Sequence, residues 1–142
     1  MSEPCVYTVS AQAHYDSAHF LANYHGKCER LHGHRYVVEA AVQATELNEA
    51  GIAFDFVDLK RELRALADHL DHQLLNELPE FQDVETSAEN QAKYFYDELK
   101  KSLPAKQAEG LLYTRVWETP TQWAQYGPAS APLPSVRTPP PE

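Results

Sequence analysis

The chain has 142 residues, 43% hydrophobic and 23% charged, with a formal net charge of −9 and a pI of about 5.2. That length suits one compact domain with its own core, and the acidity argues against a nucleic-acid partner or an anionic membrane surface. No run of about 18 apolar residues predicts a transmembrane helix, Met1-Ser2-Glu3-Pro4 does not open a secretory signal, and Cys5 and Cys28 alone make no disulfide framework, so a reducing cytoplasm is expected.

Residues 5–15 alternate, with Val9, Ala11, Ala13 and Tyr15 on one side and Thr8, Ser10, Gln12 and His14 on the other. This predicts a half-buried strand. Asp16 to Leu21 follows, with His19 just past the strand, and then the loop Asn23-Tyr24-His25-Gly26. A second strand is predicted over about 32–44, placing His32, His34, Tyr36, Val38, Ala40 and Val42 on one face. Gly33 between the two histidines is expected to allow close approach of a backbone or ligand. Phe56, Leu59, Leu63, Leu66 and Leu70 recur at helical spacing behind Asp55, a natural N-cap. Thr86 and Glu89 form a capping-box pattern ahead of a second amphipathic helix carrying Ala88, Ala92, Phe95, Leu99 and Leu103, with Pro104 at its end. A strand is predicted from Gly110 to about Glu118 with Leu112, Thr114, Val116 and Glu118 on one face, and a short last strand over 122–126. Residues 127–142 hold six of the ten prolines and are expected to be a disordered or extended tail behind a domain of residues 1–126. The expected order is β-β-α-α-β-β.

The densest chemistry lies in Lys27-Cys28-Glu29-Arg30-Leu31-His32-Gly33-His34, with His19 just upstream. Two histidines two apart on a strand point the same way, and a third imidazole completes a three-nitrogen site for zinc with one position open. Such a site leaves the full charge of the ion available as a Lewis acid. Cys28, flanked by Lys27 and Arg30, is then a candidate reactive thiol, since nearby cations favour the thiolate. The spacing is equally compatible with Cys28 as a fourth ligand in a closed, non-catalytic zinc module. His14, His25 and His69 are alternative third ligands, but each is expected to face solvent.

Asp16-Ser17-Ala18-His19-Phe20-Leu21 followed by Lys27 to His34 resembles the 6-pyruvoyl-tetrahydropterin synthase family. The likeness continues through Asp55-Phe56, Leu59-Lys60, Leu70-Asp71-His72, Leu75-Asn76, Glu89-Asn90 and Glu118-Thr119, covering about residues 7 to 126 in order. Cys28, four residues before His32, is similar to the bacterial branch, the 6-carboxy-5,6,7,8-tetrahydropterin synthases of queuosine biosynthesis. The resemblance implies an α+β tunnelling fold: a four-stranded antiparallel sheet with two helices on one face. It implies homo-oligomers, with hexamers favoured and active sites at subunit interfaces.

The implied substrate is 7,8-dihydroneopterin triphosphate, and the implied products are 6-carboxytetrahydropterin, acetaldehyde and triphosphate. A 6-pyruvoyl-tetrahydropterin synthase, which eliminates triphosphate but keeps the side chain, is the alternative. By the same resemblance His19, His32 and His34 hold zinc and Cys28 abstracts a proton. Asp71 and His72 form an acid/base pair from a neighbouring subunit. Glu118 anchors the pterin, with Thr119 and Ser87 as further substrate contacts. The chain departs from the pattern at Thr86-Ser87, where many relatives have Pro-Thr, and in its proline-rich tail. For the triphosphate, Lys27, Arg30 and Arg35 are the candidate cations.

Overall fold

The computed structural model describes residues 3–23, 26 and 29–134. Four strands, β1 (Tyr7–His19), β2 (His32–Ala44), β3 (Leu111–Thr119) and β4 (Gln122–Tyr126), form one antiparallel sheet in sequence order. Helices α1 (Phe56–Leu70) and α2 (Ala88–Ser102) pack on one face of it, and a short α3 (Ala105–Glu109) precedes β3. The expected α+β architecture and β-β-α-α-β-β order are therefore present, with α3 added.

The core lies between sheet and helices. Alternation in β1 and β2 directs Ala13, Tyr15, Tyr36, Val38, Ala40 and Val42 at Leu59, Leu63, Ala67 and Leu70 of α1 and Ala92, Phe95 and Leu99 of α2. Asp55 caps α1 as expected, its carboxylate accepting the Val57 N–H at 2.8 Å. Phe56, expected on the buried stripe, is 60% exposed. At α2 the cap is Ser87 rather than Thr86: the Ser87 hydroxyl accepts the Asn90 N–H at 3.2 Å. Thr86 is left outside the helix with its carbonyl free to turn elsewhere.

Two irregularities in β3 adjust which residues face the core. Pairing skips Leu112 between Ala41–Tyr113 and Val42–Leu111. Leu111 therefore enters the main core, while Leu112 packs with Ala41, Tyr113 and Ala131. Period-two reading across a bulge assigns the wrong leucine to the core. Gly110 and Gly127 have no room for a side chain: a Cβ would collide with the Gln43 carbonyl at the first and the Leu112 carbonyl at the second. At Gly33, by contrast, a Cβ would meet only Ser17 O, at an ordinary 3.4 Å.

The helix-free face carries Val37, Glu39, Ala41, Tyr113, Arg115 and Trp117, all buried. Residues 127–134 lie across part of it. Ala131 packs on Ala41 and Tyr113, and the Pro132 carbonyl accepts from Arg115 Nη2 at 3.2 Å and Gln125 Nε2 at 3.1 Å. After α1 the chain returns along the outer edge of β1: His72 N donates to Asp16 O at 2.7 Å and Ala18 N to Gln73 O at 3.0 Å. Asn76 then grips Phe20 at both its N–H and its carbonyl. These bonds fix the end of β1.

Candidate active site

β1 runs through to His19, which pairs directly opposite His32, so His19 lies on the strand rather than past it. His34 sits two residues along β2 on the same face. The shared face brings the three imidazoles together, and one ring nitrogen from each lies within 4.8 Å of the others. His19 is 1% exposed; His32 and His34 are half-buried.

The hydrogen bonds decide which nitrogens are available. His19 Nδ1 lies 2.7 Å from Thr86 O, and His32 Nδ1 lies 2.6 Å from Arg30 O. A carbonyl only accepts, so each Nδ1 carries the proton and each neutral ring presents its lone pair at Nε2. Those two Nε2 atoms face each other at 3.0 Å. Two facing lone pairs repel unless a cation sits on them. A proton would make one ring an imidazolium, and burial holds His19 below the ordinary imidazole pKa despite the opposing pull of the Thr86 carbonyl. Burial likewise lowers His34. The His34 Nε2 is itself buried and makes no hydrogen bond among the described residues. Convergent and partly unsatisfied nitrogens, with His19 and His34 held toward the neutral form by burial, fit a bound metal ion.

Glu118 approaches the same point. Strand pairing passes from Trp117–Trp123 to Thr119–Gln122, leaving Glu118 as the extra residue of a bulge. Its side chain keeps the face of Thr114 and Val116, as alternation along β3 predicts. Its Oε1 lies 3.5 Å from His34 Nε2 and its Oε2 3.9 Å from His19 Nε2. Glu118 also lines a depression with Ala88, Glu89, Gln122 and Trp123.

Asp71 and His72 form a separate unit. Asp71 Oδ2 lies 2.8 Å from His72 Nδ1, and Oδ1 accepts the Asp16 N–H at 2.7 Å. His72 adopts φ 57°, the left-handed region, and its side chain is 81% exposed. A non-glycine residue held there marks a constrained, often functional position. His72 and His34 both line one shallow depression.

Cys28, Lys27 and His25 lie outside the described residues. The Ser87 hydroxyl is engaged in capping α2, and the Thr119 hydroxyl accepts the Thr121 N–H at 3.3 Å. His14 is exposed, and His69 reaches Glu80 at 2.8 Å. Arg35 grips Asp16 through two bonds of 2.9 and 3.0 Å. The sequence pattern marks Thr86 only as a helix start and gives no role at the site to its carbonyl, to Gln91 or to the Tyr15 hydroxyl. The available signal was a polar Gln91 on the buried stripe of α2.

The family model described as 6-pyruvoyl tetrahydropterin synthase matches residues 8–129. A 6-carboxy-5,6,7,8-tetrahydropterin synthase of Aquifex aeolicus is 34% identical over 122 residues, covering 70% of this chain and 75% of that protein. A Bacillus subtilis protein of the same name is 32% identical over 131 residues, covering 88% of each. The structure of Caenorhabditis elegans 6-pyruvoyl tetrahydropterin synthase superposes with a TM-score of 0.78 at 25% identity, covering 91% of this chain and all of that one. The tunnelling fold read from the sequence is thus the fold of a solved pterin synthase. With the family match spanning most of its length, the chain belongs to the 6-pyruvoyl tetrahydropterin synthase family and is an enzyme.

Proposed function

We propose that this enzyme is a zinc-dependent carbon–carbon lyase. It converts 7,8-dihydroneopterin triphosphate and water to 6-carboxy-5,6,7,8-tetrahydropterin, acetaldehyde and triphosphate, as a step of queuosine biosynthesis in the cytoplasm. The observation that carries this reading is the convergence of His19, His32 and His34 beside Glu118. The choice of product rests on the names of the Aquifex and Bacillus relatives.

Three neutral nitrogen donors suit zinc. Held by them, zinc supplies Lewis acidity toward substrate oxygens. Glu118 anchors the pterin, its carboxylate accepting from the ring N–H and exocyclic amino group, with Ser87 and Thr119 bordering the ring. Cys28, as thiolate, removes a carbon-bound proton. Asp71 holds His72 by Nδ1, which leaves Nε2 to deliver a proton. This pair serves the site of a neighbouring subunit within a homo-oligomer, with a hexamer favoured. Arg35 is held by Asp16, so Lys27 and Arg30 are the cations for the triphosphate.

The test is product analysis. Zinc-loaded protein given dihydroneopterin triphosphate should release acetaldehyde and a pterin of the carboxy mass. A pterin that keeps all its side-chain carbons identifies the second reading, 6-pyruvoyl-tetrahydropterin synthase, which the name of the matching family and of the Caenorhabditis neighbour supports. Cys28→Ala should leave zinc bound and abolish turnover. Sharp loss of zinc would instead indicate the closed, non-catalytic module.

A further inference from the structure

Behind His19 runs a buried chain of hydrogen bonds. The Tyr15 hydroxyl donates to Gln91 Oε1 at 2.6 Å, and Gln91 Nε2 donates to Thr86 O at 2.9 Å. The same carbonyl accepts His19 Nδ1–H at 2.7 Å. Tyr15, Gln91 and Thr86 are completely buried. The amide orientation of Gln91 is forced: turned over, its oxygen would face the Thr86 oxygen, two acceptors in contact. Thr86 is held at its other end as well, its hydroxyl donating to Phe20 O at 3.0 Å.

From this we propose that Gln91 is a positioning residue of the metal centre, acting through the Thr86 carbonyl on the ring of His19. The inference rests on the metal reading above. Gln91 lies in the first turn of α2, and Thr86 stands just before the Ser87 cap. The carbonyl of an uncapped loop residue has rotational freedom that the helix does not remove. Gln91 takes up one of its two lone-pair directions and leaves the other toward His19. Tyr15 fixes the Gln91 amide in turn, and its ring stacks on Tyr36 at 5.0 Å, which meets His19 and His34 edge-on. The ring of His19 is thereby held both by its Nδ1 proton and by its edge, with Nε2 aimed at the ion. Ligand imidazoles rely on such partners for tautomer and orientation.

Removing Gln91 alone would strand the buried Tyr15 hydroxyl, so the informative variant replaces both. In Tyr15→Phe/Gln91→Met both partners become apolar at similar volume, which preserves folding far better than breaking one. Zinc affinity, measured by competition with a chromogenic chelator, should fall about tenfold, the lower end for outer-shell changes. Tyr15→Phe alone leaves Gln91 Oε1 without its donor but keeps the Gln91–Thr86 bond, and should lose less zinc affinity than the double variant. Unchanged affinity in the double variant, or an equal loss in Tyr15→Phe, overturns the proposal.

A second measurement needs no variant. Metal at Nε2 makes the Nδ1 proton more acidic and strengthens its bond to Thr86 O. Adding zinc should therefore shift the Gln91 side-chain amide resonances together with the His19 ring nitrogens. Gln91 resonances that stay fixed while His19 moves would also overturn it. Absence of zinc binding by the wild-type chain is a different failure, that of the metal reading itself.

Discussion

Asp71 closes a ring with Asp16: its carboxylate accepts the Asp16 N–H at 2.7 Å while the next backbone N–H, that of His72, donates to the Asp16 carbonyl at 2.7 Å. The clamp ties the end of α1 to the edge of β1, three residues before His19. The Asp16 N–H, with a smaller contribution from His72, holds the Asp71 carboxyl below its ordinary pKa. A carboxyl depressed on folding stabilises the protein above its unfolded value of about 4, and that contribution disappears as pH falls through the folded value. Asp71→Ala should cost about 1.5 kcal/mol at pH 7, the low end for a charged hydrogen bond because the side chain is 33% exposed. The difference from wild type should narrow steadily below about pH 4. Urea denaturation across that range checks it, and a penalty independent of pH would show that the ionised contact contributes nothing.

Glu118 lies against two of the three histidines without a hydrogen-bonding distance to either ring nitrogen being fully reached. A pterin anchor and a metal ligand make opposite predictions. As anchor, Glu118→Ala should weaken pterin binding about 10- to 100-fold, the loss of a charge-assisted bond pair, and leave the metal content intact. Fluorescence titration with a pterin and metal analysis of the same sample separate the two. Loss of metal alongside pterin would reassign the carboxylate.

How far this site was readable from the sequence depends on whether its signal was periodic. The shared face of His32 and His34 follows from two-residue alternation, and so does the buried row from Tyr36 to Val42. Asp55 capping α1 follows from local chemistry. The direct pairing of His19 with His32 does not, because strand ends are set by the edge contacts of residues 72–74 and by Asn76, which are far away in sequence. The aim of Glu118 follows from alternation too, since it shares the inner face with Thr114 and Val116, whereas the placement of Leu111 comes from a bulge, where one extra residue reverses the alternation. Thr86 was legible as a helix-start residue but took the position before the cap, which freed its carbonyl for His19 and Gln91.

His34 offers the cleanest separation of metal binding from folding. Its Nε2 is buried without a hydrogen bond among the described residues, and its contact with Glu118 Oε1 is a long 3.5 Å, so removing it breaks no hydrogen bond at that nitrogen. His34→Ala should reduce zinc affinity more than about 100-fold, beyond what outer-shell changes produce. The metal-free protein should keep its Tm within about 3 °C of wild type. Adding zinc should raise Tm in wild type and not in the variant, because only a ligand that binds the folded state stabilises it. Thermal scans with and without zinc read all of this, and an equal zinc-induced rise in both proteins would remove His34 from the ligand set.

On the helix-free face, Arg115 Nη1 meets Glu39 Oε1 at 2.7 Å with side-chain exposures of 4% and 10%. Tyr113 donates to the other Glu39 oxygen at 3.1 Å, and burial with the Glu39 charge pushes the Tyr113 hydroxyl up to about 12, so it remains a donor. Arg115 also reaches Gln125 and Pro132, so one guanidinium joins β2, β3, β4 and the segment after them. Arg115→Met leaves a buried carboxylate without its cation and should cost about 3–5 kcal/mol. Replacing both partners, as Glu39→Leu/Arg115→Met, removes the stranded charge and should recover most of that loss, because ion pairs held this far from water gain little over well-packed apolar side chains. The double-mutant cycle in urea decides between the two outcomes. If the double variant is as unstable as Arg115→Met, the bonds from Arg115 to Gln125 and Pro132, rather than its pairing with Glu39, hold the face closed.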